Sequence, residues 1–198
     1  MAGERETGLL TRAANGETEA FRELFETHHA AMFRLAYRLT SAVDAAEDIM
    51  QECFLRLMRN PGFDHERGSL RQYLYGMVWN LVRQRWQANG REIAFDEEAE
   101  NKPSPASASV PDAMASAEVS EVVQAALAAL PVLQREAIVL FEFEELSLEE
   151  TAAVVGSDVG TVKSRLHRAR ERLRRSLAPY RNQHRAPAEK GVNHESAE

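Results

Sequence analysis

A single cysteine, Cys53, stands among 198 residues, which excludes an internal disulfide and a thiolate cage for zinc and fits a reducing compartment. Proline and glycine are few, seven and ten, and they cluster, so most of the chain lacks the residues that interrupt helices. Long apolar runs are missing too. The longest mostly apolar stretch, residues 122–133, falls short of the roughly 20 residues a bilayer requires and contains Pro131. The opening residues MAGERETGLL carry charges of both signs and no apolar core of a secretion signal. These features point to a cytoplasmic protein without membrane insertion. Net positive charge is also absent: 24 Lys and Arg against 31 Asp and Glu leave −7, the wrong overall sign for a phosphate-binding surface driven by counterion release.

The average conceals segregation. Between 163 and 185 the chain carries Lys163, Arg165, Arg168, Arg170, Arg172, Arg174, Arg175, Arg181 and Arg185 against Glu171 alone. Acid concentrates at 44–52, 96–100 and 142–150. Charges sorted in this way suit separate partners on separate faces.

With 44% hydrophobic residues and abundant Leu, Ala, Glu and Arg, the chain predicts an all-α fold. Residues 91–118, an acidic run followed by KPSPASASVPDAMASAE, break every helical pattern and read as a flexible linker. Two small helical domains follow, a bundle over 1–90 and a second unit over 119–178, with a disordered tail over 179–198. In the first, Phe21, Leu24, Phe25, His28, Met32, Leu35, Ala36 and Leu39 mark the buried stripe of a long helix. Ala45, Ile49, Cys53, Phe54 and Leu57 mark a second, which Asn60, Pro61 and Gly62 end. After Ser69, a good N-cap, Leu70, Tyr73, Leu74, Met77, Leu81 and Val82 mark a third.

The second unit begins with a helix near 119–130, and Pro131 suits the start of another running to about residue 145. In SLEE, Ser147 and Glu150 have the spacing of a capping box, and Gly156 suits a left-handed helix stop. After a turn at 157–160 a last helix runs to about residue 177. Helix, glycine turn, helix is the layout of a helix-turn-helix reader of DNA. Val162, Leu166, Ala169 and Leu173 fall on one inward stripe of that last helix, leaving Lys163, Ser164, His167 and Arg168 outward to meet base edges. Arg165, Arg172 and Arg175 are expected towards phosphates.

The string LPVLQREAIVLFEFEELSLEETAAVVGSDVGTVKSRLHRARERLRRSL resembles the promoter-reading C-terminal domain of the extracytoplasmic-function (ECF) group of sigma factors, whose signature matches Gly160 to Arg170. DAAEDIMQECFLRL and RGSLRQYLYGMVWNLVR are similar to the polymerase-binding and promoter-opening segments of the same group, in the same order. The resemblance implies an alternative sigma factor that is not itself an enzyme and needs neither metal nor cofactor. Its implied partners are core RNA polymerase (the beta-prime clamp and the beta flap), promoter DNA and an anti-sigma factor. It implies that Asp44, Glu47, Asp48, Gln51 and Phe54 dock on the polymerase clamp, Phe54 as an exposed aromatic beside an acidic stripe. Phe63, Arg67, Asn80 and Arg83 would serve capture of a base flipped from the minus-ten element, with Tyr75 and Trp79 adding aromatic surface nearby. Thr161 joins Lys163, Ser164, Arg165, His167, Arg168 and Arg172 at the minus-thirty-five element. The chain departs from the family pattern at Tyr73, Trp79, Thr151 and His167, where Trp, Arg, an aliphatic residue and an aromatic are common.

Two other readings compete. Asp44, Glu47, Asp48 and Glu52 near His28 and His29 imitate a bundle metal site, but the paired Glu-x-x-His motifs of such sites are absent. A stand-alone helix-turn-helix regulator would keep the DNA reader and dispense with polymerase; an acidic first domain without a ligand-pocket signature argues against it.

Overall fold

The computed structural model describes residues 2–59, 62–88 and 114–183. Among the described residues the chain forms eight α-helices and no strand. The first unit holds α1 (Ala2–Ala14), α2 (Thr18–Thr40), α3 (Val43–Arg59) and α4 (Leu70–Ala88). The second holds α5 (Met114–Ala128), α6 (Val132–Ile138), α7 (Leu148–Val155) and α8 (Val159–Gln183), with a π-helical turn at Val139–Phe143 between α6 and α7.

The long helix α2 buries Ala20, Leu24, Met32, Leu35, Ala36 and Leu39 along one stripe. It stops at Ser41, which turns left-handed (φ 58°) and donates its N–H to the Tyr37 carbonyl at 2.7 Å. Helix α3 then packs back along α2, burying Ala46, Ile49, Cys53, Phe54 and Leu57. Burial pushes the Cys53 thiol up to about 12, so it sits in the core as an unreactive apolar group. Ser69 caps α4 reciprocally: its hydroxyl accepts from the Gln72 N–H (3.3 Å), and Gln72 Oε1 accepts from the Ser69 N–H (2.9 Å). That arrangement requires glycine at position 68, where φ is +146° and a Cβ would lie 2.4 Å from Gln72 Oε1. Helix α1, which the sequence pattern did not mark, buries Leu10 and Ala13 and sends the Glu6 carboxylate to the N–H of Leu70 (3.2 Å), a second cap on α4.

In the second unit the helix expected to run unbroken to about residue 145 widens at Val139–Phe143 and closes at Glu144, whose N–H reaches the Val139 carbonyl (3.0 Å). Glu145 follows in a left-handed conformation (φ 56°). The capping box of α7 is formed, Ser147 Oγ accepting from the Glu150 N–H (3.1 Å) and Glu150 Oε2 from the Ser147 N–H (2.7 Å). Gly156 ends the helix at φ 64°. Two boundaries move from their expected places: α5 begins at Met114, and α8 continues through Pro179 to Gln183. The rest of the expected linker up to residue 113, the stop at Asn60 and Pro61, and the tail from 184 onward lie outside the described residues.

The two units pack against each other, α5 and the π-turn on α2 and α7 on α4. Buried Arg135 of α6 donates through Nη1 to the Leu39 carbonyl at 2.8 Å and through Nη2 to the Leu130 and Ala128 carbonyls. It thus satisfies the C-terminal end of α2 from across the boundary. Gln124 adds Nε2 bonds to the Tyr37 carbonyl (3.1 Å) and Ser41 Oγ (3.0 Å).

Thr151 of α7 is fully buried, and its hydroxyl has no hydrogen-bond partner among the described residues. A buried unpaired hydroxyl carries its desolvation cost uncompensated. Thr151→Val is therefore expected to stabilise the chain by about 1 kcal/mol, read as a higher midpoint in thermal unfolding followed by circular dichroism. A lower midpoint would show that the hydroxyl is engaged.

Candidate functional site

Three surfaces carry the residues singled out from the sequence. The first is the N-terminal half of α8. Asp158 opens that helix: Oδ1 accepts from the Thr161 N–H (2.8 Å) and Oδ2 from the Thr161 hydroxyl (2.6 Å). These bonds, the Thr161 hydroxyl first, hold the Asp158 carboxyl below its ordinary range. The Thr161 side chain is thus occupied with its own helix start. Gly160 leaves the room this cap needs, since a Cβ there would meet Asp158 Oδ1 at 3.0 Å. Val162, Leu166 and Ala169 are buried and Leu173 partly so, as their spacing required. Lys163, His167 and Arg172 are exposed; Ser164 and Arg168 are half-buried, the Ser164 hydroxyl donating to the Thr161 carbonyl (2.9 Å).

Arg165 overturns its expected place. It does not lie towards phosphates: it is 8% exposed, and its Nη1 donates to Glu136 Oε1 of α6 at 3.0 Å. The reason is angular. Position 165 lies three residues after Val162 and four before Ala169, on the edge of the inward stripe, so its chain enters the interior and finds a carboxylate there. Burial pushes the Glu136 carboxyl up to about 8, against the opposing pull of Arg165 and Arg83. Glu136 Oε2, Gln134 Oε1 and Arg165 Nε remain buried without partners among the described residues, so the pair is incompletely compensated. Farther along, Arg170 pairs with Glu142 (2.6 Å) over the Phe141 ring, and Arg174 pairs with Glu171. The outward basic field is therefore centred on Lys163, His167, Arg168 and Arg172.

The second surface is a cleft of about 650 Å³. One wall brings together Phe63, Arg67 and Asn80, three of the four residues assigned to base capture, along with Tyr73 and Met77. Phe63 is half-buried and lies tilted against the Tyr73 ring, centroids 5.8 Å apart; Arg67 and Asn80 are exposed. The opposite wall is α7, which contributes Glu149, Glu150, Ala153 and Val154. Arg83 is not part of this cleft; it is half-buried on α4 and lies near enough to Glu136 to favour its ionised form. Tyr75 and Trp79, expected to offer aromatic surface, are core residues. Trp79 packs edge-on against Trp86 at 5.6 Å, and Tyr75 is buried with its hydroxyl donating to Glu144 Oε2 at 2.5 Å. Burial first, then that bond, pushes the Tyr75 hydroxyl up to about 12. Positions 75 and 79 join Leu74, Val78 and Val82 on the face of α4 that turns inward.

The third surface is α3. Asp44, Glu47, Asp48 and Gln51 are exposed, Asp48 within 3.2 Å of Arg85. Phe54 is not the exposed aromatic of that stripe: it is 4% exposed and packs against Phe25 and Phe21 at 5.1 and 6.1 Å. Leu55, 50% exposed, stands there instead. Residues 44, 48, 51 and 55 follow the four, three, four spacing of a single helical face, so the spacing carries the signal for Leu55. Among the described residues no group of three His, Cys, Asp or Glu is placed to hold a metal ion. His29 stacks on Phe25 at 4.7 Å and contacts its carbonyl.

Comparison with known proteins covers both units. Residues 24–92 match the family model described as sigma-70 region 2, and residues 120–173 the model described as sigma-70, region 4. The chain is 33% identical to the ECF RNA polymerase sigma factor SigW of Bacillus subtilis (strain 168), over 85% of this chain and 94% of that one. It is 36% identical to the ECF RNA polymerase sigma factor SigM of Mycobacterium tuberculosis (strain ATCC 25618 / H37Rv), over 85% of this chain and 83% of that one. Among solved structures it is similar to the sigma factor RpoE in complex with the anti-sigma factor NepR from Bartonella quintana, at TM-score 0.67 and 27% identity over 81% of this chain and 98% of that one.

The Glu136 carboxyl gives a pH prediction. Its folded value lies above that of an unfolded chain, so folding takes up a proton between the two, and stability falls as pH rises through that window. From about pH 6.5 to 8 the melting temperature is expected to drop, and Glu136→Gln to flatten the drop. A rise over that interval, unchanged in the variant, would rule out the protonated carboxyl.

Proposed function

The chain belongs to the ECF RNA polymerase sigma factors, and from that premise we propose a division of labour among its three surfaces. As an alternative sigma factor it binds core RNA polymerase and directs it to promoters, as a non-catalytic initiation factor. Its partners are core polymerase, promoter DNA and an anti-sigma factor. No helix of the described residues is long and apolar enough to cross a membrane. We place its action in the cytoplasm, where polymerase and chromosome meet.

The observation that carries the assignment of surfaces is the orientation of α8: its apolar stripe is sealed against α6 and α7 while Lys163 and His167 face outward. Helix α8 enters the major groove at the minus-thirty-five element. Lys163, Ser164, His167 and Arg168 meet base edges, and Arg172 meets phosphate. Arg165 and Thr161 hold the helix in place and start it; neither reads DNA. The cleft of Phe63, Arg67 and Asn80 takes the flipped base of the minus-ten element, an aromatic ring and polar edges offsetting the few kcal/mol that unstacking costs. Asp44, Glu47, Asp48 and Gln51 dock on the beta-prime clamp through a solvated acidic stripe, and Leu55 supplies its apolar anchor. The second unit lies beside the beta flap.

Transcription reconstituted with core polymerase separates reading from support. Arg168→Ala is expected to cost roughly 1–3 kcal/mol at the cognate promoter and little on unrelated duplex. Arg165→Ala is expected to lower thermal stability by about 1–3 kcal/mol, because the buried Glu136 carboxyl loses the donor on its Oε1, and to reduce all promoters alike. Equal weakening of every sequence by Arg168→Ala would make that residue a phosphate contact.

The clamp assignment is tested by Leu55→Glu, measured as competition for core polymerase. An exposed leucine contributes little to folding, so the melting temperature should stay within a few degrees while affinity falls about tenfold, roughly 1.4 kcal/mol. Unchanged affinity would remove Leu55 from the interface.

A further inference from the structure

Phe63 and Arg67 reach the cleft from the loop of residues 62–69 between α3 and α4, whose only regular structure is the single turn His65–Arg67. A side chain on such a loop is only as well placed as the backbone beneath it. Part of that backbone is fixed locally. Asp64 Oδ1 accepts from the Glu66 N–H at 3.0 Å, the Asp64 carbonyl from the Arg67 N–H at 3.1 Å, and Gln72 Oε1 from the Ser69 N–H at 2.9 Å. All of these partners lie between residues 64 and 72, so they shape the loop without tying it to the rest of the bundle.

The N–H of Leu70 is served from elsewhere. Leu70 is the first residue of α4, and a helix supplies its first N–H groups with no partner of its own. Ser69 and Gln72 are already committed to each other's N–H groups. Glu6 of α1, 64 positions earlier, takes the Leu70 N–H on its Oε2 at 3.2 Å. The planar peptide that joins Ser69 to Leu70 is thus held at both ends, its carbonyl accepting from the Tyr73 N–H at 3.1 Å and its N–H donating to Glu6. Gly68 stands immediately before that peptide at φ +146°, a residue free to pivot.

Glu6 is itself firmly placed. Helix α1 packs on α2, on α3 and on the turn His65–Arg67, and buries Leu10 and Ala13. The Glu6 side chain is half-buried, with its charge towards the positive end of α4. It also acts on half-buried His28 of α2, where burial lowers the His28 value and Glu6 opposes the shift.

We propose that Glu6 is a positioning residue for base capture: by holding the Ser69–Leu70 peptide it sets the angle at which the 62–69 loop meets α4, and so presents Phe63 and Arg67 to Asn80 ready for an extruded base. This rests on the base-capture reading given above. A loop ordered beforehand loses little further freedom when the base arrives, and that saving appears as affinity. Helix α1 then contributes to promoter reading through the backbone of α4.

The test uses holoenzyme, the full chain bound to core polymerase, and a fork-junction DNA whose promoter unaltered holoenzyme selects from a random pool. Abasic nucleotides placed one at a time through the non-template minus-ten segment identify the captured base as the position whose loss weakens binding most. Glu6→Ala should weaken the intact fork about tenfold, the order expected when one residue's backbone must be ordered on binding. On the fork abasic at the captured position it should bind as unaltered holoenzyme does, because nothing is left to capture. Glu6→Gln keeps an acceptor oxygen and should restore most of the affinity. Equal loss on both forks would overturn the proposal and leave Glu6 a support of the fold. Full affinity in Glu6→Ala, or a Glu6→Gln as weak as Glu6→Ala, would overturn the hydrogen bond as the acting contact. If no abasic position weakens unaltered holoenzyme, the base-capture reading fails and the proposal with it.

Discussion

Arg165 and Glu136 form a hydrogen-bonded pair with both partners out of water, and the pair constrains the roll of α8 about its own axis. Apolar contacts alone leave a helix some freedom to rotate, since Val162, Leu166 and Ala169 would be nearly as well covered a few degrees either way. A guanidinium that must reach one particular carboxylate at 3.0 Å removes that freedom. Once the roll is set, Lys163 and His167 face outward, Ser164 and Arg168 flank them, and Arg170 meets Glu142 at the rim. Breaking the pair would strand a buried charge, so it acts as a constraint on geometry more than as a source of net stability.

The same logic recurs at the junction of the units. Arg135, Gln124 and Glu144 are polar residues of the second unit whose hydrogen bonds end on the first, at Leu39, Tyr37, Ser41, Arg38 and Tyr75. These directional bonds sit beside an apolar core that is continuous across both units, and they fix how the two faces meet.

Much of the architecture was legible because helix periodicity and capping are local. The stripes of α2 and α3, the Ser69 and Ser147 caps and the Gly156 stop depend on residues three or four apart, and each stands where the pattern put it. The failures lie at edges and junctions. Helix α1 carries only a short apolar stripe, and the π-turn at Val139–Phe143 has no spacing signature. Phe54, Tyr75 and Trp79, for which the family resemblance implies surface roles, are core residues whose spacing aligns them with buried neighbours. Leu55 is the converse case, an apolar residue whose spacing sets it on the exposed acidic face.

By itself the amino-acid order determined the helices, their inward stripes, the glycine turn before α8 and the separation of acid from base, because these follow from contacts within a turn or two of chain. Tertiary structure alone decided that Arg165 is internal, that Arg83 leaves the Phe63–Asn80 cleft, and that Glu144 joins the two units. The partners in those interactions lie between 29 and 106 residues apart where they are paired directly. A side chain able to face either water or a distant opposite charge is assigned by whatever the fold brings to it, and no local pattern carries that information.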